Sequence, residues 1–134
     1  MITAVDVTRI EANRAQKELI ANMKFNINFE NVKVDKENVD VGFVFTAVYD
    51  GAQQGKEVGK LTITGNVSAK ESKKDTEEIE KKWKEEKTLP LKFAEAVINM
   101  LNFECAARGT LVAYSIGFVA PLPLSRAKLQ DDNK

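Results

Sequence analysis

Residues 89–129 read LPLKFAEAVINMLNFECAARGTLVAYSIGFVAPLPLSRAKL, and no other stretch restricts the fold as strongly. Pro90 suits the first turn of a helix, where its missing N–H is no loss. At about 100° per residue, Phe93, Ala94, Ala96, Val97, Ile98, Met100, Leu101, Phe103, Cys105 and Ala107 spread over an arc of roughly 220°. Lys92, Glu95, Asn99 and Asn102 gather on one narrow strip, and Glu104 with Arg108 interrupt the other side. A helix packed on one neighbour needs an apolar stripe only about 100° wide. A sheet covers one side, and the same helix from a second subunit is the simplest cover for the rest. Phe93, Val97, Met100, Leu101 and Phe103 are the interface residues this reading selects. The alternative is intrachain cover from the N-terminal segment or from residues 70–88. Gly109 is expected to close the helix in a left-handed conformation. Residues 111–124 are then an apolar connection with two prolines, either packed over the domain edge or exposed as a binding patch. Ser125 can cap a short last helix, 125–130, whose Leu129 points back at that connection.

The rest of the chain supplies the sheet. Phe25, Ile27 and Phe29 alternate with polar neighbours, and the apolar phase then slips to Val32 and Val34. Such a slip would turn the stripe over, so a bulge near Asn31 is predicted in a strand over 23–36. After a turn at 35–38, Val39, Val41, Phe43, Phe45, Ala47 and Tyr49 mark a second strand. Val44 and Val48 on its other face make it central. Asp50-Gly51 opens a hairpin connection to a third strand over 57–69, where Gly65 signals a bulge or a close neighbour. Residues 1–22 read as a helix over about 8–21 or as a short strand over 2–10, and the loose stripe Ile10, Ala12, Ala15, Leu19, Ile20 favours the helix. Residues 71–88 form a charged crossover with a helix over about 75–86. Ile79 and Trp83 pin it to the domain; a mobile flap with Trp83 on a ligand is the alternative reading.

A chain of 134 residues suits one domain, so the fold class is α+β: an antiparallel three- to four-stranded sheet on a long helix, with a short C-terminal helix. Twenty basic and twenty acidic residues cancel, giving no bulk charge to hold nucleic acid or an anionic membrane. Asp6 and Arg9 fall where a signal peptide needs an apolar run, and residues 111–124 are too few to span a bilayer. A cytoplasmic location without membrane insertion is expected. There is no histidine, which removes the usual near-neutral base and a common metal ligand. Cys105, the only cysteine, lies on the apolar side of a helix and reads as a core residue. Gly51-Ala-Gln-Gln-Gly55-Lys56 is one residue short of a phosphate loop, with Glu57 where Ser or Thr is needed. The acids at 75–80 and 131–132 lack calcium-loop spacing. No catalytic residue, metal or cofactor is expected.

The helix led by Pro90 closes with Ala107-Arg108-Gly109-Thr110, followed by an apolar stretch containing Ala120-Pro121 and then a short helix. In this, and in the order of strands before the helix, residues 23–129 resemble the SecB family of export chaperones, including its toxin–antitoxin-associated and archaeal-type branches. The resemblance implies an ATP-independent holdase for unfolded or preprotein chains, assembled as a dimer of dimers. It implies a fourth strand, for which residues 2–10 are the source. By position, the client groove would be formed by Phe43, Phe45 and Tyr49 together with Tyr114, Phe118, Leu122, Leu124 and Leu129; core packing is the competing role for each. The long C-terminal extension that helps SecB dock on the SecA motor is replaced by four residues here, so engagement of a motor is doubtful. A module that stabilises a single client, such as an antitoxin, is the alternative function.

Overall fold

The computed structural model describes residues 1–15, 20–51 and 56–115. Four strands, β1 (Ile2–Arg14), β2 (Ile20–Asp35), β3 (Asn38–Gly51) and β4 (Glu57–Lys70), precede two helices, α1 (Lys73–Glu86) and α2 (Leu91–Ser115). The sheet is antiparallel throughout in the order β1-β4-β3-β2, so β3 and β4 are central and β1 and β2 are edges.

One face of the sheet carries the core. Val39, Val41, Phe43, Phe45, Ala47 and Tyr49 from β3 meet Val58, Leu61, Ile63, Val67 and Ala69 from β4, and all are buried. Burial raises the ionisation of the Tyr49 phenol above its ordinary range. The opposite face holds Thr46, Thr62, Thr64 and Asn66, in keeping with a sheet that faces water on that side. Helix α2 lies over β1 and β4, and α1 lies over β2. Among the described residues, no helix is long and apolar enough to cross a membrane.

The N-terminal segment is a strand, not the helix that its apolar spacing favours, and the physical reason is visible in the register. Thr3 and Thr8 are extra residues at two bulges, one between Ile2 and Ala4 and one between Val7 and Arg9. Each bulge lets apolar residues three apart, Ile2 and Val5, then Val7 and Ile10, share one face of the strand; in sequence this imitates a helical stripe. Each threonine hydroxyl donates to a β4 carbonyl at 3.1 Å, Thr3 to Ser68 and Thr8 to Thr64. The bulge foreseen near Asn31 is present between Phe29 and Asn31. The turn that follows it places Lys36 at φ 56°, a left-handed residue between β2 and β3.

Helix α1 begins at Ser72, whose hydroxyl accepts from the Asp75 amide at 3.2 Å. It ends at Lys87, whose left-handed backbone lets its N–H donate to the Trp83 carbonyl. Helix α2 departs from expectation at its far end. It passes through Gly109 and runs to Ser115, with Gly109 buried and helical and the Thr110 hydroxyl donating to the Ala106 carbonyl at 2.6 Å. The glycine serves as a small buried position in the helix. It is not the terminator. The proposed last helix, 125–130, lies outside the described residues.

Gly65 sits under β1 where the Thr8 bulge brings the backbone close: a Cβ there would fall 2.0 Å from the Asp6 carbonyl oxygen. Backbone cannot yield as a side-chain tip does. Gly65→Ala is therefore expected to lower unfolding free energy by about 1–3 kcal/mol or more, measured by urea denaturation; an unchanged midpoint contradicts the close β1–β4 approach.

Candidate functional site

Among the described residues, two surfaces carry rows of apolar groups toward solvent, and each follows from the layering just described. The first is on α2. Every fourth residue from Phe93 is buried: Phe93, Val97, Leu101, Cys105, Gly109 and Ala113. Four residues advance the helix by about 40° beyond a full turn, so this row winds around α2 as it crosses the sheet. Phe93, Val97 and Leu101, expected at a subunit interface, are thus used within the chain. Val97 and Leu101, at 0% exposure, have no surface left for a partner. Met100 is half-buried and Phe103 is 70% exposed. With exposed Ala96 and Ala107 they form a stripe at spacings of four, three and four residues, the spacing of a helix–helix seam. Helix α1 lies against β2 and leaves Phe103 uncovered.

The second surface is the edge strand β2. Met23, Phe25, Ile27 and Phe29 pair across to Tyr49, Ala47, Phe45 and Phe43, so they stand on the core face of the sheet. They are only partly covered, and Phe25 is 36% exposed with its ring 5.9 Å from that of Phe45. Beyond them β2 has no further strand among the described residues, so alternate N–H and C=O groups face outward. Lys24 pairs with Asp50 at 3.4 Å on the other face and leaves the apolar row free of charge.

Phe43, Phe45 and Tyr49, read as groove residues, are each at 0% exposure. They lie on a central strand beneath the helical layer and support the β2 row from behind. In the isolated chain these three side chains are core, the competing role named for them, and that they lie on an inner strand follows from strand order, which is not written in local periodicity. Tyr114 lies in the last turn of α2, its side chain outside the described residues, as are Phe118, Leu122, Leu124 and Leu129.

Chemistry at Cys105 is closed off. Burial pushes its thiol from 9.0 to about 12, the Arg108 guanidinium drawing it down and the Glu104 carboxylate pushing it up by lesser amounts. At neutral pH it is a protonated core group and no nucleophile. Among the described residues, no group of three or more Cys, Asp or Glu side chains is placed to hold a metal ion.

The four-stranded antiparallel sheet with its two helices is similar in fold to a solved SecB-like chaperone. A solved SecB-like chaperone from Mycobacterium tuberculosis, in complex with a ChAD peptide from the HigA1 antitoxin, aligns with a TM-score of 0.58 at 13% sequence identity. The alignment covers 100% of this chain and 92% of that one. No protein-family model and no curated protein sequence matches the chain.

The buried thiol makes a pH prediction. Its folded value lies above the unfolded one, so its contribution to stability is complete below about pH 9 and is lost as pH rises toward 12. Over that window the wild type should lose stability relative to Cys105→Ala by up to about 1.4 kcal/mol per pH unit. A difference that stays constant with pH would show the thiol is exposed.

Proposed function

We propose that this protein is an ATP-independent holdase that binds non-native polypeptide along the open edge of β2. The observation that carries the reading is the uncharged row Met23, Phe25, Ile27, Phe29 on an edge that no further strand pairs among the described residues, with Phe25 at 36% exposure. An extended segment laid there gains main-chain hydrogen bonds from the edge and apolar contacts from alternate side chains. Neither contact demands a particular sequence, which suits a binder of many unfolded chains.

Assembly is the second half of the proposal. The stripe Ala96, Met100, Phe103, Ala107 is covered by the same stripe of another copy, giving a homo-oligomer of the dimer-of-dimers kind. Several copies hold several β2 edges, and avidity converts weak individual sites into useful affinity. A cytoplasmic location accords with the lone buried cysteine and belongs to the same proposal.

A single-client partner is the second reading. The neighbour of the same fold was solved with an antitoxin peptide, so one defined segment of one protein is also a credible occupant.

Aggregation assays with three unrelated denatured proteins separate the two. A holdase suppresses light scattering for all three at near-stoichiometric ratios, without nucleotide; a dedicated partner protects at most one, and protection of none removes the holdase reading. Phe25→Lys should weaken protection roughly tenfold, the loss of one apolar anchor of ~1.4 kcal/mol, with its circular dichroism unchanged.

A further inference from the structure

The apolar row on β2 does not stop at Phe29. Past the bulge it continues through Val32 and Val34, half-buried like the residues before them. The two halves differ in one respect: α1 lies over β2 at the Val34 end, where Val34 and Thr76 border the same cleft. We infer that α1 is a displaceable strap over the second half of the polypeptide-binding row, which a client segment pushes aside as it extends past Phe29. The inference rests on the holdase reading and specifies how its site is regulated.

Four features of α1 fit a strap better than a structural helix. Its attachment is thin, since only Thr76 and Ile79 are buried and Trp83 is half-buried. Open space flanks it on both sides. One cleft, about 760 Å³, separates it from the Lys36–Glu37 turn. The other, about 500 Å³, separates it from the first turns of α2 and is floored by Ile79, Phe93 and Ala96. Its polar contacts are its own: Lys84 pairs with Glu80, the Thr76 hydroxyl donates to the Lys73 carbonyl, and the Lys87 ammonium stands 5.5 Å over the Trp83 ring. Among the described residues no ion pair is formed between α1 and the sheet.

The fourth feature is that α1 is bounded by fixed points outside itself. The Glu71 amide donates to the Glu37 carbonyl at 2.9 Å, and Leu89 is buried. Between those anchors the helix carries its own caps at Ser72 and Lys87, so it can lift as a unit without unravelling. What Ile79 and Trp83 offer the body, an aliphatic and an aromatic group on a chain segment, is what an unfolded polypeptide offers. The strap is an internal occupant of a site that takes such segments. A closed strap multiplies the apparent dissociation constant by the inverse of the open fraction, which keeps the full-length groove reserved for segments long enough to compete.

Trp83 is the only tryptophan in the chain, so its emission reports the strap directly. The test titrates the intact protein with reduced, carboxymethylated ribonuclease A, an unfolded chain without tryptophan, while co-elution on size exclusion records binding. Displacement predicts a red shift of Trp83 emission and stronger quenching by acrylamide as the client saturates. Binding with unchanged emission and quenching overturns the strap and leaves the holdase reading standing; absence of binding removes that reading and the strap with it. Ile79→Ala, which loosens the latch, should tighten client binding about tenfold. Weaker binding by a folded Ile79→Ala would make Ile79 part of the binding surface and contradict the inference, and the wild-type fluorescence decides the matter if that variant does not fold.

Discussion

Val97, Leu101 and Cys105 of α2, pressed against the β1 and β4 side of the sheet, are the contact on which the remaining structure depends. A single helix can present only part of its circumference to a flat sheet, and α2 has apolar groups on much more than that part. The inner row closes the core. The outer stripe, led by Phe103 at 70% exposure, stays in water in the isolated chain. A buried phenylalanine side chain is worth about 1.5–3 kcal/mol, so a stripe that carries one with Met100 and two alanines is a standing incentive to associate. The proposed association through this stripe would then follow from how the core is built.

The sheet answers a related problem at its edges. β1 is twisted by two threonine bulges and lies beneath α2, so one edge is shaped and covered. β2 has irregularities at Ile20–Asn22 and at Phe29–Asn31, but none between them, and it carries no charge on the core side of that stretch. Natural edge strands usually carry some such protection against pairing with other chains. Its absence over residues 23–29 is the kind of exposure a binder of extended polypeptide would keep, and α1 protects the other half of the strand. The fold places a covered edge, an open edge and a half-covered row within one sheet.

Much of this was legible in the chain and some was not, for physical reasons. β3 and β4 were plain because a buried face forces strict alternation from Val39 to Tyr49 and from Leu61 to Val67. The slip from Phe29 to Val32 could be read as a bulge because strong alternation stood on its N-terminal side. β1 was misread because two bulges in thirteen residues leave too little alternation between them, and Thr3 and Thr8 draw their partners from β4, sixty residues away. Gly109 carried the signal of a helix end, yet tertiary packing needed a small buried residue there and the helix ran on. The surplus of apolar surface on α2 was readable from the wheel. Which residues faced inward was not, since the winding of the buried row depends on how the helix crosses the sheet. The open row on β2 required strand order, a property that no local pattern encodes.

The central claim is that α2 has one face for its own sheet and one for another copy of itself. Size exclusion with multi-angle light scattering tests it most directly, on the wild type beside Phe103→Lys. The account predicts a mass two or four times the 14.9 kDa of the chain for the wild type, and a shift to smaller species for the variant with its far-UV circular dichroism preserved. A wild type that stays at the mass of one chain across micromolar concentrations would contradict it.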